Sequence, residues 1–209
     1  MPAASPADRL WSQAAAFGAL WGSLEITLGS FLHSLRLPFA GVLLASTGTL
    51  LLVAARQILP RRGSTLAVGA VAALCKSISP GGVILGPMIG IASEALLVEL
   101  VLMPAPRARA SAAIAGALAA LWAASQKLVT QVIFFGGGVL SLYLALLRRA
   151  RDWLGLPAEA GWWALTALLT VIVLVGAAGG LLGRSVGHEA DRRLASARQA
   201  PPVLEAPRA

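Results

Sequence analysis

Glu25, Lys76, Glu94, Glu99 and Lys127 all fall within, or at the rim of, stretches that are otherwise apolar. A charge at bilayer depth costs about 2.5–3.5 kcal/mol on insertion scales, so such groups face a bundle interior and mark a solute path. The densest polar cluster is Gln126, Lys127, Thr130 and Gln131, in which Lys127 and Gln131 stand one turn apart on a common helical face. Ala120, Ala123 and Ala124 leave room beneath them. A buried ammonium needs a counter-charge, and Glu25 or Glu94 is the available choice. The cluster then either lines a solute pocket or clamps two helices by hydrogen bonds.

Glu94 follows Gly86, Pro87 and Gly90 on one general face, which permits close packing and turns Glu94 inward. Glu99 lies about 140° around the same helix, so the two do not form a carboxylate pair, and Glu99 reads as a structural or subunit contact. Lys76-Ser77-Ile78-Ser79-Pro80-Gly81-Gly82 ends a short apolar segment with a lysine, two hydroxyls and a Pro-Gly-Gly break. Irregular backbone at membrane depth survives only where protein or a watery cavity satisfies it. Submerged, the break offers Ser79 and Lys76 to a solute; at the surface it is a plain loop with a snorkelling lysine. His33 lies two turns beyond Glu25, and His188 is the only other histidine, so no metal-ligand spacing is present.

The elements that must position these groups are transmembrane helices. The chain has 209 residues, 57% hydrophobic and only 12% charged, and its mean hydropathy is +0.78. That balance excludes an ordinary soluble domain. A span needs about 20 apolar residues. Six segments meet or approach this, near 11–32, 39–58, 64–78, 82–103, 109–131 and 161–183. The expected fold is therefore all-α, a six-helix polytopic bundle over 11–183. It has a short N-terminus at 1–10 and a disordered or loosely surface-bound tail at 184–209. Residues 132–147 are apolar but interrupted by Gly136-Gly137-Gly138, and read as an extra half-helix, a seventh span or an interfacial piece.

Charge bias favours six spans. With the N-terminus inside, eleven basic residues fall on inner segments and five on outer ones, against nine and seven for seven spans. Both termini are then cytoplasmic, with Arg148, Arg149 and Arg151 as the exception. The formal charge of +8 follows from these segment ends and points to topology and lipid headgroups, not to nucleic acid. The lone Cys75 excludes an internal disulfide and any cysteine metal cluster. In this topology Glu25, His33, Lys76, Lys127 and Gln131 converge on an outward-facing cavity. Lining of both charge signs suits a small polar or zwitterionic solute better than a lipid.

The first helix also carries a small-residue stripe, Ala15, Gly18, Ala19 and Gly22, with Gly29 further on. Such stripes let helices approach closely in lipid, either inside the bundle or on a separate subunit. No paired histidines, nucleophile motif, Asp-rich metal signature or phosphate loop is present, so an enzyme and a self-contained ATPase are not expected, nor is a cofactor.

Two runs, Trp21-Gly22-Ser23-Leu24-Glu25-Ile26-Thr27-Leu28-Gly29-Ser30-Phe31 and Ile78-Ser79-Pro80-Gly81-Gly82-Val83-Ile84-Leu85-Gly86-Pro87-Met88, with the Ala15-x-x-x-Ala19 pair and the six-span plan, carry a family resemblance. Over 11–183 the chain resembles the substrate-binding S components of energy-coupling factor (ECF) vitamin transporters. The resemblance implies a bacterial inner-membrane subunit that binds a small micronutrient with high affinity. It would dock through its first helix onto a transmembrane coupling subunit driven by two ATPases. Pocket residues of thiamine, riboflavin or biotin binders are not matched, nor is the N-terminal histidine motif of the cobalt and nickel components. The other transport class is a self-sufficient proton-coupled carrier relaying through Glu25, Glu94 or Lys127; six spans without a clear inverted repeat disfavour it.

Overall fold

The computed structural model describes residues 6–35, 40–78, 85–138 and 160–199, with scattered positions between; the side chains of His33, Lys127, Thr130 and a few others within these ranges lie outside that description. The described chain is helical, without a strand: α1 Pro6–Ser34, α2 Ala40–Ile58, α3 Ser64–Ser77, α4 Leu85–Leu102, α5 Arg109–Phe135 and α6 Ala160–Gln199.

Local chemistry sets several of the helix ends. Pro60 follows α2, and Gly63 takes a left-handed φ of 82° to start α3. Pro104 and Pro106 follow α4. Gly136, at φ 79°, stops α5 while its N–H still donates to Val132 O at 2.8 Å. Pro87 sits in the first turn of α4, where its missing N–H removes no helical hydrogen bond.

Four helices are long and apolar enough to cross a membrane by length and composition: α1, α2, α4 and α6. The apolar α3 has 14 residues, about 21 Å of rise against a hydrocarbon core of about 30 Å. Outward faces carry large apolar side chains on every helix, among them Leu20, Leu43, Leu74, Leu96, Ile114 and Leu174. Glu25, Glu94, Glu99 and Arg56 are buried. Charge inside and hydrocarbon outside is the arrangement that a lipid surround favours.

α2 is the axis of the bundle. Fourteen of its 19 residues are buried, and α1, α3, α4, α5 and α6 all pack on it. Its tightest neighbour relations run through glycine. Residues Gly179, Gly183 and Gly187 of α6 lie on the α2 backbone: a Cβ at Gly179 would meet Ser46 O at 2.7 Å, and one at Gly187 would meet Ala54 Cα at 2.7 Å. Gly176 and Gly180 face Gly116 and Ala112 of α5 in the same way. Without side chains between them, backbones approach closely and dispersion replaces a hydrophobic drive that lipid does not supply.

α6 continues well beyond the expected span. Residues 184–199, read from the sequence as a disordered tail, extend the same helix to 40 residues, about 60 Å. Arg184 Nε donates to Arg107 O at 2.9 Å, and the Arg107 and Asp191 side chains meet at 4.0 Å. The α4–α5 connection is thereby tied to the overhang.

Candidate functional site

Two polar layers interrupt the apolar interior. In the first, the Thr49 hydroxyl of α2 donates to Glu94 Oε1 of α4 at 3.0 Å. Glu94 is 5% exposed. A Cβ placed on Gly48 would sit 2.7 Å from that same Oε1 and 2.8 Å from Cε2 and Cζ2 of Trp21. The carboxylate and the indole edge of α1 therefore face one another across bare α2 backbone. Glu25, one turn along α1 from Trp21, is also buried. Lys76 of α3 donates from Nζ to the Glu25 main-chain oxygen at 3.4 Å. Four helices thus deliver Trp21, Glu25, Gly48, Thr49, Lys76 and Glu94 to one region.

Gln126 is positioned by α4. Its Nε2 donates to Gly86 O at 2.8 Å, and its Oε1 occupies the space that Gly90 leaves open, 2.7 Å from where a Cβ would be. It ties α5 to α4 one turn from Glu94. Among the expected site residues, Glu25, Lys76 and Glu94 come together and Gln126 adjoins them. Gln131 is half-buried on α5. Ser79 and the side chains of His33 and Lys127 lie outside the described residues.

Thr49, Gly48 and Trp21 were not singled out by sequence reasoning as site residues. Thr49 and Gly48 carry a signal: Ser46-Thr47-Gly48-Thr49 is a polar and glycine break in an otherwise apolar helix. Trp21 reads as packing from sequence, and it is fully buried, but its Nε1 has no acceptor among the described residues.

The second layer closes the other end. Glu99 Oε1 accepts from the N–H of Gly63 at 2.7 Å and meets Arg56 Nη1 at 3.3 Å. Its Oε2 accepts from the Thr65 hydroxyl at 2.5 Å and the Thr65 N–H at 3.2 Å. Arg56 also donates to Ser64 Oγ at 3.1 Å. A carboxylate thus caps the first turn of α3, where orphan N–H groups and the helix dipole favour an anion. Gln57 Nε2 donates to Pro106 O at 2.7 Å. The ends of α2 and α4, the start of α3 and the α4–α5 connection are locked together, and Arg61, Arg62, Arg107 and Arg109 are exposed around them.

The small-residue stripe of α1 splits in two. Gly18 and Gly22 are buried on α3, where a Cβ would lie 2.5 Å from Val71 Cβ and 2.5 Å from Cys75 Cβ respectively. They are used inside the chain and are not available to a separate subunit. Ala15 and Ala19 are exposed.

No protein-family model, curated protein or solved structure matches this chain.

Proposed function

We propose that this chain is the membrane-embedded solute-binding subunit of a multi-component importer, of the ECF type that its sequence resembles. All six helices then cross the bacterial cytoplasmic membrane, with both termini inside. The observation that carries the reading is the Glu25–Thr49–Glu94–Trp21 cluster. Two buried carboxylates drawn from separate helices cost stability unless they do something, and contact with a small polar solute is what such groups do at depth. In this reading Lys127, Gln131, His33 and Ser79 are the further solute contacts that the sequence suggests. Exposed Ala15 and Ala19 offer a close-packing face to a coupling subunit, which two separate ATPases energise.

The Glu99–Arg56 layer favours a binder over a self-sufficient carrier. A carrier alternates access by opening each end in turn. Here one end is sealed by a capped helix and a buried ion pair, flanked by the arginines that positive-inside bias assigns to the cytoplasm. One observation supports a proton-coupled carrier instead: two protonatable carboxylates, Glu25 and Glu94, are buried on separate helices.

Affinity purification from native membranes separates the two. The binder co-purifies with a polytopic subunit and two phosphate-loop ATPases, and the chain alone in proteoliposomes accumulates nothing. Uptake by the purified chain driven only by a proton gradient would replace the binder with the carrier.

A further inference from the structure

The Trp21 indole carries a donor that the fold leaves unused. The residue is fully buried, and its Nε1 has no acceptor among the described residues. Buried polar groups are almost always satisfied, and one left without a partner destabilises the fold. The surroundings are polar, not inert. Glu94 Oε1 faces the same indole edge across Gly48, with Thr49 bonded to it, and Glu25 lies one turn away on α1. Phenylalanine would keep an aromatic ring there without the orphan donor, at the cost of a small void.

We infer that Trp21 is a specificity-determining residue, whose Nε1–H donates to an acceptor atom on the solute while Glu94 accepts from a donor on it. This rests on the solute-binding reading above and narrows the solute class. A molecule that satisfies both groups presents an acceptor, such as a carbonyl or ring nitrogen, beside a donor. Bare metal cations and simple amines lack the acceptor and are excluded.

The test compares wild type with Trp21→Phe, each incubated in detergent with the dialysable fraction of yeast extract, washed, and analysed by mass spectrometry for retained compounds. Wild type is expected to retain a compound bearing both groups. Trp21→Phe retains about ten-fold less of it, the loss of one buried hydrogen bond, and stays folded, because removal of an unsatisfied donor offsets the small void. Equal retention by both proteins assigns the indole to packing or to a water and overturns the inference, leaving the binder reading intact. Retention of nothing by wild type defeats the binder reading and the inference with it. Should Trp21→Phe fail to fold, wild type labelled with 15N-tryptophan decides. Of six tryptophans, Trp21 and Trp122 both have buried indole nitrogens; the protected N–H signal that persists in Trp122→Phe belongs to Trp21 and must move downfield on loading with the same extract, and no movement overturns the assignment.

Discussion

Breaking the Arg56–Glu99 layer gives the most quantitative prediction. Both side chains are almost wholly buried, 3% and 2% exposed, and meet at 3.3 Å. Arg56→Met leaves Glu99 without its counter-charge but with three remaining donors, from Gly63 N–H, Thr65 N–H and the Thr65 hydroxyl. Glu99→Leu is worse, because it strands the guanidinium and also uncaps α3. Removal of one partner of a buried pair costs about 3–5 kcal/mol. For a soluble domain of this length that is roughly 6–20 °C in melting temperature. Arg56→Met should fall at the low end because its partner stays hydrogen-bonded, and Glu99→Leu at the high end. The double variant has no stranded charge, so it recovers the ion-pair loss and retains only the cost of the lost cap, about 1–2 kcal/mol. Thermal unfolding in detergent across the four proteins measures the coupling. Strictly additive losses, or an Arg56→Met loss under 1 kcal/mol, would refute the claim that this layer holds the end of the bundle shut.

Other expectations are simpler. Gly183→Leu forces a side chain into Leu50 of α2, whose Cα lies 2.8 Å from the Cβ position. Loss of folded protein in detergent is expected, whereas Leu182→Ala on the exposed neighbouring face should be silent; a well-folded Gly183→Leu would discredit the close α2–α6 packing. Ala19→Trp should block subunit co-purification while leaving melting and solute retention intact, whereas Gly22→Trp should unfold the chain against Cys75. If Ala19→Trp still co-purifies, the exposed face of α1 is not the docking surface. Lys127→Ala should abolish solute retention in a folded bundle, and unchanged retention removes Lys127 from the site.

Much of the helical plan was legible because proline and glycine punctuate it. Pro60, Gly63, Pro104 and Gly136 lie within a residue or two of observed ends. Apolar periodicity alone ends the last helix near residue 183, well short of its observed end at Gln199. Residues 184–199 lose that periodicity, yet they are rich in arginine and alanine and contain no proline, so nothing stops the helix. That Glu25 and Glu94 turn inward is legible from the cost of exposing a carboxylate to lipid. Their detailed partners did not follow, because the relative rotation of α1, α2 and α4 is a tertiary fact. Thr49 acquires meaning only once Glu94 is opposite it. The α1 stripe shows the same limit: small residues announce a close approach, and Gly18 and Gly22 against α3 show that the partner is decided by the whole bundle.

The central claim is that the buried carboxylate of Glu94 is kept for a solute at the expense of stability. Native mass spectrometry and melting of Glu94→Leu, set beside wild type, address it directly. The claim predicts a small-molecule adduct on wild type that vanishes in the variant, while the variant melts at the same temperature or higher. A variant that melts lower and still carries the adduct would contradict it, because Glu94 would then be a structural strut and the solute would lie elsewhere.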